Sequence, residues 1–173
     1  KNIHAIINCL PFQYNLDAAH LALQLQCHYF DLSEDLVQFD ELSRIAQQSH
    51  QPFFPQCGLA PGWVNIIANH LAQSLDTVDS IRIRCGALPQ QPTSPWEYAL
   101  TWSIDGLINE YLNPAIVIND SHMQSQARLS QLETLIVNGN TFEAFTTSGG
   151  CGNLPNQWNH EVQTLNYKTI RHP

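Results

Sequence analysis

A chain of 173 residues, 43% hydrophobic and only 13% charged, has room for one large domain or two small ones, with neutral polar side chains over much of its surface. Seven Lys and Arg against fifteen Asp and Glu leave a formal charge of −8, which argues against nucleic acid as a default partner because phosphate neutralisation needs clustered cations. No apolar run is long enough to span a bilayer, and five cysteines with no C-x-x-C spacing read as reduced thiols of a cytoplasmic protein, with neither a disulfide framework nor a zinc site.

The first half alternates. "IHAIINCL" (3–10) is a continuous apolar run, as expected of a strand covered on both faces. Residues 15–26 are rich in Ala and Leu and predict a helix with Asn15 as a possible N-cap. "HYFDLS" (28–33) is strand-like again. Residues 34–49 place Leu36, Phe39, Leu42, Ile45 and Ala46 at helical spacing, with Glu34, Asp35, Asp40 and Glu41 as a solvated acidic start. "PFFPQC" predicts a third strand. Residues 62–75 put Val64, Ile67, Ala68, Leu71 and Leu75 on one helical face. "SIRIRCGAL" (80–88) is a fourth strand, Arg82 and Arg84 alternating with Ile81, Ile83 and Cys85. Strand–helix alternation with short turns predicts parallel strands and the body of a doubly wound sheet.

The stretch "FFPQCGLAPGW" (53–63) crosses from strand to helix without a charge. Gly58 and Gly62 carry no side chain that blocks approach, and Pro61 fixes its own φ ahead of the helix. Open α/β sheets bind ligands at such turns, outside the carboxyl ends of their strands, although close strand–helix packing asks for the same residues.

After the Pro- and Gln-rich segment "PQQPTSPW" (89–96) the pattern changes. "EYALTWS" (97–103), "AIVIND" (115–120), "LETLIVNGN" (132–140) and "TFEAFTTSGG" (141–150) read as strands, "NGN" as a hairpin turn, and Ile104–Leu112 as a short helix. The expected fold class is α/β: a partial Rossmann-like parallel sheet over residues 1–79, then an α+β domain with a mixed or mainly antiparallel sheet over 80–173. A sheet covered by one short helix leaves Ala115–Ile118, Leu135–Val137 and Phe142–Phe145 with an apolar face, and a two-fold homodimer is the simplest way to bury it.

The succession "INCLPFQYNLDAAHLAL", "HYFDLS", "CGLAPGWVNIIANHL", "RCGALP", "YALTWSIDGL", "TSGGCGNLP" and "YKTIRHP" resembles the saccharopine dehydrogenase family, and within it the lysine 6-dehydrogenase-like branch. The resemblance runs along essentially the whole chain. It implies a nicotinamide-dependent oxidoreductase that acts on a CH–NH or CH–NH2 bond of an amino acid, with NAD or NADP as cofactor in the full-length protein and a substrate domain that also dimerises. The family's first strand with its G-x-G-x-x-G loop has no counterpart here, nor has its closing segment. Both ends are therefore expected to be cut, and cofactor binding by this chain alone is expected to be weak.

By resemblance, Asn8, Cys9, Leu10, Pro11 and Phe12 lie along the nicotinamide, with Asp31, Leu32 and Ser33 at the next strand end and Cys57, Gly58 and Leu59 at the third. Ala60, Pro61 and Gly62 then stand at the junction with substrate, whose pocket walls include Glu97, Trp102, Ser103, Thr147, Ser148 and Gly149. Saccharopine-forming members usually carry an acid where this chain has Ala60, which favours a smaller amine. The general base required is assigned to Asp31 or Tyr98, with Glu97 behind them. Asp31 reads equally as a helix cap, Glu97 as a solvated strand start, Tyr98 as core, and Cys57 as a small buried residue in place of an activated thiol. The competing reading of the whole is a non-catalytic relative that serves as a dimerisation module.

Overall fold

The computed structural model describes residues 3–34, 38–92, 95 and 97–173. Two sheets organise it. The first has three parallel strands in the order β1 (Ala5–Asn8), β2 (His28–Asp31) and β3 (Phe53–Phe54). The crossovers are α1 (Asn15–Leu25) and α2 (Phe39–Ala46), which pack against each other on one face. There Ile6, Tyr29 and Phe53 meet Ala19, Ala22, Leu42 and Ile45, and small alanines let α1 lie close to the sheet. The opposite face carries Ile7, Phe30 and Phe54, of which Ile7 is 66% and Phe54 42% exposed. Cover on both faces, expected from the apolar run, is thus found on one face only among the described residues.

The second sheet has six strands. β9 (Thr164–Arg171) is central, with β4 (Ser80–Cys85) parallel along one edge. On the other edge, β5 (Ala115–Asn119) pairs antiparallel with its start and β8 (Asn140–Thr146) with its end. β6 (His122–Gln126) and β7 (Glu133–Val137) are the outer strands. The mainly antiparallel character matches the expectation from sequence, but the fourth strand is corrected. β4 is parallel to β9 and does not extend the first sheet.

α3 (Trp63–Gln73) packs on β4. Val64, Ala68 and Ala72 contribute to a core with Ile81, Ile83, Ile118, Leu165 and Tyr167. Of the helical face expected to be buried, Ile67, Leu71 and Leu75 remain 38%, 58% and 61% exposed, because the small side chains of α3 make the contact with the sheet.

α4 spans Ile104–Leu112 as expected, capped by Ser103, whose Oγ accepts from the Gly106 N–H at 3.2 Å. Residues 97–103, expected as a strand, form none; this segment packs by ring contacts instead of ladder bonds. The β7–β8 turn is the "NGN" hairpin, with Asn138 and Gly139 at φ 52° and 80°. The β5–β6 hairpin uses Asp120 and Ser121 at φ 49° and 63°, a turn without glycine. Asn15 is no cap: it opens α1 with a buried side chain bonded elsewhere. Leu36, Asp35 and Trp96 lie outside the described residues. No described helix is long and apolar enough to cross a membrane.

A three-way ion cluster ties β7 to the sheet centre. Glu133 accepts from Arg84 Nε, from Arg84 Nη2 at 3.1 Å and from Lys168 Nζ at 2.6 Å. Hydrogen bonding from Arg84, with Lys168 behind it and burial opposing, holds the Glu133 carboxyl down at about 2.

Candidate functional site

The carboxyl ends of β1 and β2 and the β3–α3 turn converge on a cleft of about 590 Å³ against the second sheet. On the first side stand Cys9, Leu10, Pro11 and Phe12, then Leu32, Ser33 and Glu34, then Gly58, Leu59 and Ala60. Leu10, Leu32 and Leu59 are 61%, 47% and 55% exposed and make this an apolar wall.

The polar residues of this side are committed to one another. Asn8 Nδ2 donates to Asn15 Oδ1 at 2.8 Å, Asn15 Nδ2 to Ser33 Oγ at 2.6 Å, and Ser33 Oγ to Asp31 Oδ1 at 3.1 Å. Asp31 also accepts from Tyr29 Oη, from the Ser33 N–H and from the Gln56 N–H. It is 1% exposed and does not line the cleft. Asp31 thus ties the end of β2 to the segment after β3, and its carboxylate is spent on bonds that hold the wall, behind the cleft in which the general base expected from sequence would have to stand. Asn8 likewise stands behind the wall, its Oδ1 holding the Leu10 N–H at 3.1 Å.

The glycines of the β3–α3 turn answer to packing. A Cβ on Gly58 would stand 2.7 Å from the Leu32 carbonyl oxygen, and one on Gly62, at φ 133°, 2.3 Å from the Gly58 carbonyl oxygen. Pro61, after a cis bond from Ala60, is buried. Pro61, Gly62 and Cys57 do not line the cleft. Asn65 Oδ1 accepts from the Gly62 N–H at 2.6 Å while its Nδ2 donates to the Gly150 and Cys151 carbonyls, which clamps the β3–α3 turn to the turn that follows β8. Burial first, and Asp31 second, push the Cys57 thiol up, the reverse of an activated thiol. The residue is exposed as a whole, but its Sγ is held against the Phe54 carbonyl at 3.3 Å.

The opposite wall belongs to β4, α4, β9 and the segment before α4. Tyr98, Trp102 and Ser103 line it. Trp102 Nε1 donates to Tyr98 Oη at 3.2 Å, and the Trp102 ring lies so close to Gly106 that a Cβ there would stand 2.5 Å from it. Glu97 lies off the cleft, 3.9 Å from His172 Nδ1. Thr147, Ser148 and Gly149 stand behind the wall, with Ser148 bonded to the Asn109 and Glu110 carbonyls at the end of α4.

The residues that sequence did not place in the site include its charged ones, beside uncharged Thr101, Gly106, Tyr167 and Thr169. Arg171 lines the cleft with its guanidinium 4.7 Å from the Tyr98 ring centre and 5.7 Å from that of Tyr111. Glu110 lines it from α4, 6% exposed, and Glu34 from the β2 end, away from the solvated helix face expected for it. Burial pushes up the Cys85 thiol and the Tyr167 phenol, so both stay protonated at neutral pH.

A family model, the saccharopine dehydrogenase C-terminal domain, matches residues 58–173. The chain belongs to the saccharopine dehydrogenase family. Apo saccharopine dehydrogenase (L-glutamate forming) from Saccharomyces cerevisiae is similar in fold, with a TM-score of 0.68 and 19% identity over 97% of this chain. The chain spans 40% of the length of that protein. A putative oxidoreductase from Bacillus subtilis aligns over 99% of this chain and 51% of its own at 10% identity and a TM-score of 0.44, too distant to bear on function. Family membership makes this an oxidoreductase-family chain. The first-side wall offers leucines and strand-end backbone, with Glu34 as its one charged side chain among the described residues, a lining with room for the flat ring of a nucleotide cofactor. The chain has no G-x-G-x-x-G loop for the pyrophosphate.

Proposed function

We propose that the chain supplies the nicotinamide-side loops and the substrate wall of an NAD- or NADP-dependent oxidoreductase acting on the carbon–nitrogen bond of an amino acid or small amine. The observation that supports it most is the facing of an apolar strand-end wall by a wall that carries Arg171 and Glu110. When bound, the nicotinamide supplies a hydride acceptor. The residues of this chain bind and orient the substrate. Arg171, held over two tyrosine rings, is placed to take a substrate carboxylate, and the leucines exclude water from the carbon that loses hydride. The released imine is then open to hydrolysis.

Within the family, Ala60 in the cleft favours the lysine 6-dehydrogenase-like branch over a saccharopine-forming one. Partnership with a second copy belongs to the same proposal, because Ile136 and Val137 are 76% and 46% exposed on β7. Turnover of the full-length protein with NAD or NADP and L-lysine, saccharopine or short diamines tests the reading. Reduced nicotinamide should accumulate with one of them, and none with any substrate would favour the non-catalytic alternative.

A further inference from the structure

We infer that Glu110 receives the substrate's amino group through its free Oε2 oxygen, which makes it the cleft's amine-recognising residue. A buried carboxylate is costly unless its oxygens are paired. Glu110 Oε1 meets that demand: it accepts from Thr147 Oγ1 at 3.0 Å and from Thr169 Oγ1, two hydroxyls that are themselves buried and 2.7 Å apart. Oε2 does not. It accepts a hydrogen bond from no described residue, and no described Lys or Arg forms an ion pair with Glu110. Glu110 keeps 6% of its surface exposed and lines the cleft, and Oε2 is the carboxylate oxygen left to meet a ligand there.

One oxygen locked and its twin presented to a cavity is a preorganised acceptor. The carboxylate has no rotamer left to lose when a ligand arrives, because both threonines are fixed in β9 and in the segment just after β8. The group that suits it must donate a hydrogen bond and gains most by being cationic, which describes an ammonium and excludes a second carboxylate. Arg171, on the same cleft and not paired with Glu110, offers the complementary site for an anion. The two together select a ligand that carries both charges, with the amine on the α4 side. This assignment rests on the oxidoreductase reading for the word substrate, but its binding claim stands on the geometry of Glu110 alone.

The test is calorimetric titration of the full chain with L-lysine, with 1,5-diaminopentane, which has ammonium groups only, and with glutarate, which has carboxylates only. Glu110→Gln keeps an acceptor for both threonines but loses the charge. It should weaken lysine and the diamine about tenfold or more, as expected when a charge-assisted hydrogen bond is lost, and leave glutarate unchanged. Equal diamine affinity in both proteins, or no diamine binding by the unaltered chain, overturns the inference. If Glu110→Gln does not fold, the unaltered protein decides alone: the side-chain carboxyl carbon resonance of Glu110 should move with the diamine and not with glutarate, and the opposite pattern overturns it. Amine turnover with an unaltered KM in Glu110→Gln would sink this assignment and leave the oxidoreductase reading standing. Loss of diamine binding without turnover of any amine would do the reverse.

Discussion

The two walls of the cleft use polar residues in opposite ways. On the first-sheet side Asn8, Asn15, Tyr29, Asp31 and Ser33 bond to one another and leave leucines, backbone and Glu34 along the cleft. On the second-sheet side Arg171 is held by rings and Glu110 by hydroxyls, so that each keeps hydrogen-bonding capacity for something in the cleft. A carboxylate beside a cleft is therefore no guide to chemistry until its partners are counted. Asp31 has four donors on its two oxygens, and Glu110 has two donors on one oxygen.

That contrast is sharpest at Asp31. Asp31→Ala strands four donors at once and should cost about 3–5 kcal/mol, read as a fall in the denaturation midpoint. A stable Asp31→Ala protein that had lost turnover alone would restore Asp31 as a base. Glu133→Gln comes next. It leaves Lys168, 7% exposed, short of its counter-charge and should cost roughly 2–4 kcal/mol. Its pH signature follows from a carboxyl whose folded value, about 2, lies below the ordinary 4.5. The stabilisation is complete above the ordinary value and is lost as pH falls from there through about 2, so acid titration of Glu133→Gln should show less of this loss than the unaltered chain does.

Arg171→Ala should barely move stability, since its ring contacts are worth about 1 kcal/mol, yet weaken glutarate binding by a factor of about ten or more. Unchanged glutarate affinity would show that the anion site lies elsewhere. The smallest effect on folding belongs to the outer strand. Val137 is 46% exposed, so Val137→Glu should alter stability by no more than about 0.5 kcal/mol while sedimentation reports a shift from dimer to monomer. A monomeric unaltered protein at micromolar concentration would dispose of the dimer.

Much of the fold could be read from local signals. The apolar runs of β1 and β2, the Asn-Gly turn of the β7–β8 hairpin and the helix Ile104–Leu112 each carry their own. β6 escaped because its turn is Asp120–Ser121 and its residues are polar. β9 escaped as a strand because Asn166, Lys168 and Thr169 look like surface, although Lys168 and Thr169 are buried and bonded to β7 and to α4. The first-side wall was readable because strand ends and glycines mark it. The charged wall was not: Glu110 sits in an ordinary helical sequence, and only tertiary contact brings it to Thr147 and Thr169. Gly58 and Gly62 could be read as room for a ligand or as close packing, and neighbouring backbone fills the space beside them.

What remains to be decided is which wall takes which molecule. A crystal structure of the protein with reduced nicotinamide mononucleotide and L-lysine tests this most directly, because the mononucleotide needs no site for a second phosphate or for adenine. The account predicts the nicotinamide ring against Leu10, Leu32 and Leu59, the lysine carboxylate on Arg171, and an amino group within hydrogen-bond distance of Glu110 Oε2. A nicotinamide ring on the Arg171–Glu110 wall, or an amino acid bound with its amine facing the leucines, would contradict it.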